Sequence, residues 1–111
     1  MSIRPIPKRL LIHSVEYREF IEDQRWGGSF ADPIPVTFVR VEPATSMNRD
    51  TSKEEVVARS VLYIDRVHTK PFLQPKEKDR IIFGGEEYEV HKVDVHYAFG
   101  PRIHHLEVEL V

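Results

Sequence analysis

The sequence predicts a mainly all-β protein, a small antiparallel β-barrel or sandwich of five to six strands with one long polar loop. Three observations predict it. Thirteen Val and nine Ile outnumber six Leu and four Ala, and β-branched side chains fit a pleated surface while losing rotamer freedom in a helix. Eight Pro and five Gly are spread along the chain as punctuation, which favours short strands and turns over helix. Gly84-Gly85 stands between two alternating apolar runs, a hairpin signature because glycine tolerates the positive φ of primed turns. With 111 residues the chain reads as one domain, 1–111, in which residues 1–9 form an extended arm held open by Pro5 and Pro7.

The first strand is expected over residues 10–17, with Leu11, Val15 and Tyr17 on one face and His13 between them. Residues 18–35 follow, rich in charge. Tyr17 to Asp23 could close a helical turn, but Gly27, Gly28, Pro33 and Pro35 stop anything longer. VTFVRVE over 36–42 is the second strand, with Thr37, Val39 and Val41 expected on one face, and Pro43 ends it. Residues 44–55, ATSMNRDTSKEE, carry one Met as their only large apolar group and are expected to be a mobile exposed loop; loops of about a dozen residues tend to be functional or disordered.

The third strand is expected over residues 56–66, with Ala58, Ser60, Leu62 and Ile64 on one face, Val57, Val61 and Tyr63 on the other, and burial on both sides near its end. Residues 67–79 are mostly loop, pinned to the core by Phe72 and Leu73. Residues 80–83 and the run from 86 to Tyr97 are the two arms of the Gly84-Gly85 hairpin. Apolar residues occupy even positions at Tyr88 and Val90 but odd positions at Val93, Val95 and Tyr97, so one extra residue, a β-bulge, is expected near His91-Lys92. AFGPR over 98–102 is a turn and 103–111 the last strand. Pairing Val95 with Leu106 and Val93 with Val108 sets His96 opposite His105, Asp94 opposite Glu107 and Lys92 opposite Glu109. A slip by one residue would oppose Asp94 to Leu106 and turn the apolar set outward.

Composition narrows the function. The absence of cysteine excludes a disulfide framework, a thiolate zinc site and a cysteine nucleophile. No apolar run reaches the roughly 18 residues of a membrane span, and the basic N-terminus has too short an apolar stretch for a secretion leader. The compartment reads as a cytoplasm or an assembly built there. The net charge of −2 lacks the basic excess usual in a nucleic-acid binder.

The serines sit in no nucleophile-elbow context, and no glycine-rich loop opens a helix to cradle phosphate. His91, His96, His104 and His105 cluster near the C-terminus beside Asp94 and Glu107. Imidazole and carboxylate together suit a divalent ion, but the spacing matches no metal motif, and no metal or cofactor is expected. His104 shares the apolar face with Leu106 and reads as a hydrogen-bonded core or interface residue. Arg4, Lys8 and Arg9 form a small basic cluster, either a solvated tail or an arm that docks on another chain.

The segments PIPKRLLIHSVEY, VRVEP, VLYIDRVHTKP, KDRIIFGGEEYEVHKV and GPRIHHLEVELV, with a Trp-Gly-Gly segment between the first two, resemble the minor capsid proteins of tailed phages and prophages over nearly the whole chain. The ending HHLEVELV and the run Tyr63-Ile64-Asp65 are the most telling pieces. The resemblance implies a structural, non-enzymatic virion component of the head-closure or head–tail connector type. It implies a homo-oligomeric ring at the portal vertex, assembled in the host cytoplasm, with a portal-adaptor ring and tail proteins as partners. Packaged double-stranded DNA would pass nearby without sequence-specific binding.

In related connectors a β-barrel carries a long loop toward the channel. The position of Thr45, Ser46, Met47, Asn48, Arg49, Asp50, Thr51, Ser52 and Lys53 matches such a loop, and Arg4, Lys8 and Arg9 would lie on the docking arm. Two other classes compete. A small β-barrel module for single-stranded nucleic acid would stack bases on Trp26, Tyr63, Tyr88, Tyr97 and Phe99. A metal-dependent barrel enzyme would use His91, His96, His104 and His105.

Overall fold

The computed structural model describes residues 4–23, 27–44 and 58–111. A 3-10 turn at Lys8–Leu10 precedes eight strands: β1 His13–Arg18, β2 Phe20–Ile21, β3 Ser29–Phe30, β4 Ile34–Pro43, β5 Ser60–Asp65, β6 Arg80–Phe83, β7 Glu86–Tyr97 and β8 Ile103–Leu110. Six of them close an antiparallel barrel in the order β1-β4-β5-β8-β7-β6, and β6 returns to pair with β1. β2 and β3 form a separate two-stranded ribbon. The architecture is therefore the all-β barrel, and the expected last hairpin holds in register. Val93 faces Val108, Val95 faces Leu106 and His96 faces His105, with the register shift between Val90 and Lys92 that makes His91 the extra residue.

Inward-facing residues alternate as a barrel requires. Val15 and Tyr17 from β1, Val36, Val39 and Val41 from β4, Leu62 and Ile64 from β5, Ile81 from β6, Val90 from β7, and Leu106, Val108 and Leu110 from β8 form the core. Phe72 and Leu73 pack against it from the long loop, as their apolar character predicts. Core packing of this kind makes each large side chain worth roughly 2–5 kcal/mol against truncation to Ala.

Four expectations give way, the first being the third strand, where β5 runs only from Ser60 to Asp65 and leaves Ala58, Arg59 and Arg66 outside it. Residues 10–12 precede β1 rather than starting it, because the chain turns at Lys8–Leu10, with the Leu10 amide donating to the Pro7 carbonyl at 2.9 Å and that of Leu11 to Lys8 at 3.0 Å. The segment after Tyr17 is not a helical turn but β2, paired with β3 through Phe20↔Phe30 and Ile21↔Ser29. In β4 the apolar phase breaks: Val36 and Val39 are both buried, while Thr37 faces outward. The cause is Phe38, whose φ of +57° puts one residue in the left-handed region. A bridge from outside the barrel accompanies it. Thr37 exchanges backbone hydrogen bonds with Lys70 at 2.8 and 3.1 Å, and the Thr69 hydroxyl donates to the Phe38 carbonyl at 2.6 Å. A positive φ at an aromatic residue has no local sequence signal.

The β6–β7 turn is built as its glycines require, with φ of +60° at Gly84 and +81° at Gly85. A Cβ at either position meets no atom within 4 Å, so a substitution there acts through backbone conformation alone. Replacing both with Val is expected to lower stability by about 1–2 kcal/mol per residue forced left-handed; a double variant that melts with the parent would show the turn to be otherwise formed.

Candidate functional site

The candidate channel loop, Thr45 to Lys53, lies outside the described residues, but its two stems are fixed. The Ala44 amide donates to the Arg59 carbonyl at 3.0 Å, and the Arg59 amide donates to the Leu110 carbonyl at 2.7 Å. Chain leaving β4 and entering β5 is thus tied to the end of β8. The Arg59 guanidinium stacks over Tyr88, 4.5 Å from the ring centroid, so the β4–β5 connection and the Gly84-Gly85 turn emerge at the same end of the barrel.

The candidate docking arm lies against its own barrel. It runs along the outer wall from the far end of β5 toward the start of β1. The Ile6 amide donates to Asp65 Oδ1 at 2.9 Å, the Arg4 carbonyl accepts from His104 Nε2 at 2.6 Å, the Lys8 ammonium sits 4.3 Å from the Phe38 ring centroid, and Arg40 donates to the Leu10 carbonyl at 3.1 Å. The side chains of Arg4 and Arg9 are exposed. Between arm and wall is a cavity of about 400 Å³ lined by Ile6, Leu10, Leu11, Arg40, Glu42, Tyr63 and His105.

Three of the four C-terminal histidines meet. His96 and His105 stack with centroids 4.6 Å apart and planes within 2°. Their Nε2 atoms lie 3.1 and 2.9 Å from the same oxygen of Glu107. His104 joins through its Nδ1, 2.8 Å from His105 Nδ1. His91, the bulge residue, stands apart. The nitrogens of His96 and His105 and the Glu107 carboxylate fall within 4.8 Å of one another. A bound ion must lie in the plane of each imidazole that ligates it, however, and two parallel stacked rings cannot both hold one ion in plane. The arrangement suits a shared carboxylate hydrogen bond.

Two buried carboxylates went unread in the sequence. Asp65, fully buried, accepts from the amides of Ile6, Val67 and His68 at 2.9, 3.0 and 2.8 Å. Asp79, also fully buried, accepts from the Tyr17 hydroxyl, the Phe20 amide at 2.7 Å, the Lys76 amide at 2.8 Å and the Lys76 ammonium at 2.9 Å. Burial pushes the Asp79 carboxyl up, but the Tyr17 hydroxyl, Lys76 and the Phe20 and Lys76 amides outweigh it and leave the group below its ordinary value of 3.8. Burial first, then the hydrogen bond and charge of Asp79, push the Tyr17 phenol far up. The signal available was position: each Asp borders a strand and a loop, where Asx-type bonds to nearby amides are common.

These buried carboxylates bond to the chain's own backbone and side chains. A family model described as "Minor capsid protein" matches residues 7–110, and the chain belongs to that family. It is a structural component of a phage virion, as the resemblance implied. Comparison with curated proteins and with solved structures found no match.

Asp79→Ala is expected to cost on the order of 3 kcal/mol or more, since each buried donor left unsatisfied costs about 1–3 kcal/mol. The lowered Asp79 value makes its contribution fully present above the ordinary carboxylate range and lost as pH falls through that range and below. Acid unfolding of Asp79→Asn should therefore be less steep than that of the wild type; equal steepness would remove Asp79 from the balance. Dialysis against a chelator is expected to leave the melting temperature unchanged. Stoichiometric zinc that survives dialysis and disappears in a His96→Ala, His105→Ala double variant would contradict that.

Proposed function

We propose that the protein is a head–tail connector of the head-closure type, one subunit of a homo-oligomeric ring at the portal vertex. The observation that carries this reading is the family match over residues 7–110 on a barrel that is already closed. A closed strand order leaves little free edge for strand addition, so in this reading neighbours are met mainly by what lies outside it. Outside it are the N-terminal arm and the β2–β3 ribbon.

In this reading the β4–β5 connection carries Thr45 to Lys53 toward the channel, where double-stranded DNA passes. The arm bearing Arg4, Lys8 and Arg9 meets a portal-adaptor ring, and tail proteins join the opposite side. A net charge of −2 favours passage over retention, because a basic lining would neutralise phosphates and hold the duplex. The work is mechanical and needs no catalytic group.

Deletion of residues 45–53 in the phage or prophage tests the reading. The isolated variant should still fold, since Ala44 and Arg59 are tied to each other and to β8. Heads should package DNA and then fail to retain it or to join tails. Normal infectious particles from this variant would end the closure role.

A further inference from the structure

Three hydrogen bonds stand in series where the arm meets β8. The Arg4 carbonyl oxygen is 2.6 Å from His104 Nε2, His104 Nδ1 is 2.8 Å from His105 Nδ1, and His105 Nε2 is 2.9 Å from Glu107 Oε2. Both ends of the row, a backbone carbonyl and a carboxylate, accept only. Three bonds between two acceptors need three hydrogens on the four ring nitrogens, and two neutral imidazoles supply two. With all three bonds made, the row holds one extra proton, on His104 or His105.

We propose that this proton latches the N-terminal segment to the barrel, so that docking of residues 4–10 on their own barrel is a proton-dependent equilibrium. The inference does not depend on the connector reading. Removing the proton leaves two lone pairs facing each other at one of the three contacts. The carboxylate bond is the strongest of the three, so the break falls between Glu107-bound His105 and the arm.

The surrounding groups allow the charge. On β8 the Glu107 carboxylate faces the imidazolium directly. On β7 His96 stacks on His105 and reaches the same Glu107 oxygen, which a neutral ring satisfies with its own hydrogen. Asp94, opposite Glu107, is 3.4 Å from the Lys92 ammonium. On β5 the Tyr63 phenol is held neutral to higher pH by burial and then by Glu107 and Glu42, and Asp65, opposite His105, is occupied by amides. On β4 Arg40 pairs with Glu42, two residues along the same strand, at 2.6 Å, and both line the cavity. Beyond β5 the Arg66 amide donates to the His104 carbonyl while its guanidinium lies over Phe72, and the Arg4 side chain is exposed.

The docked state binds one proton more than the released state. Docking is therefore strongest at low pH and weakens as pH rises, by at most about tenfold per pH unit for a single proton. The Ile6–Asp65 hydrogen bond reports it, because it exists only while the arm is down.

The experiment is hydrogen exchange and ring-nitrogen NMR on the whole chain between about pH 5 and 8, a range histidine spans. The protection factor of the Ile6 amide should fall with rising pH while that of Leu62 in the core holds. One of His104 and His105 should be doubly protonated where Ile6 is protected. In His104→Gln, a neutral amide supplies two hydrogens and an acceptor in one side chain, so Ile6 protection should lose its pH dependence. Constant Ile6 protection across the range in the wild type, two neutral rings in the docked state, or an unchanged pH dependence in His104→Gln would each overturn the proposal.

Discussion

A six-stranded sheet becomes a barrel only where its first strand meets its last, and here that seam is β1. It pairs with β4 on one side and with β6 on the other, through Glu16↔Ile82, Tyr17↔Ile81 and Arg18↔Arg80. Asp79, one residue before β6, fastens the seam by taking the Tyr17 hydroxyl from β1, the Phe20 amide from β2 and both nitrogens of Lys76. A buried charge without such partners would cost several kcal/mol. With them it becomes a fixed point where three parts of the chain converge. The core depends on that closure, since Val15 and Tyr17 are buried only with β1 seated.

Closure also decides how the protein can meet others. Strand addition uses an open edge; the strand order is closed, but among the described pairings β7 meets β6 only over Glu86–Glu89, so Lys92–Tyr97 are laddered on the β8 side alone. Additions to the barrel also offer contact: the arm along its outer wall and the ribbon of β2 and β3. Exposed Val67 and Phe99 lie in connections, and exposed Tyr97 closes β7, at the end of the barrel opposite Ala44 and Arg59.

Much of this fold was legible because its information is local. The two glycines fixed one turn, the parity change between Val90 and Val93 revealed the bulge, and matching apolar residues set the last hairpin to its residue register. The phase of β4 was not legible, because Phe38 takes a conformation no local rule assigns to it and the Thr37–Lys70 bridge that accompanies it spans distant sequence. The same holds for the buried carboxylates. Asp65 and Asp79 read as loop charges until the fold brings Ile6, Tyr17 and Phe20 to them from roughly sixty residues away. The histidine pair on β7 and β8 was readable from register alone; His104's bond to Arg4, across a separation of 100 residues, was not.

The central proposal is one of place, that this barrel sits at a single vertex of the particle. Cryo-electron microscopy of intact virions, reconstructed without imposing icosahedral symmetry and with the protein marked by an antibody fragment, measures it directly. The account predicts label and barrel density in one ring between portal and tail. Label spread over the faces of the shell would contradict it.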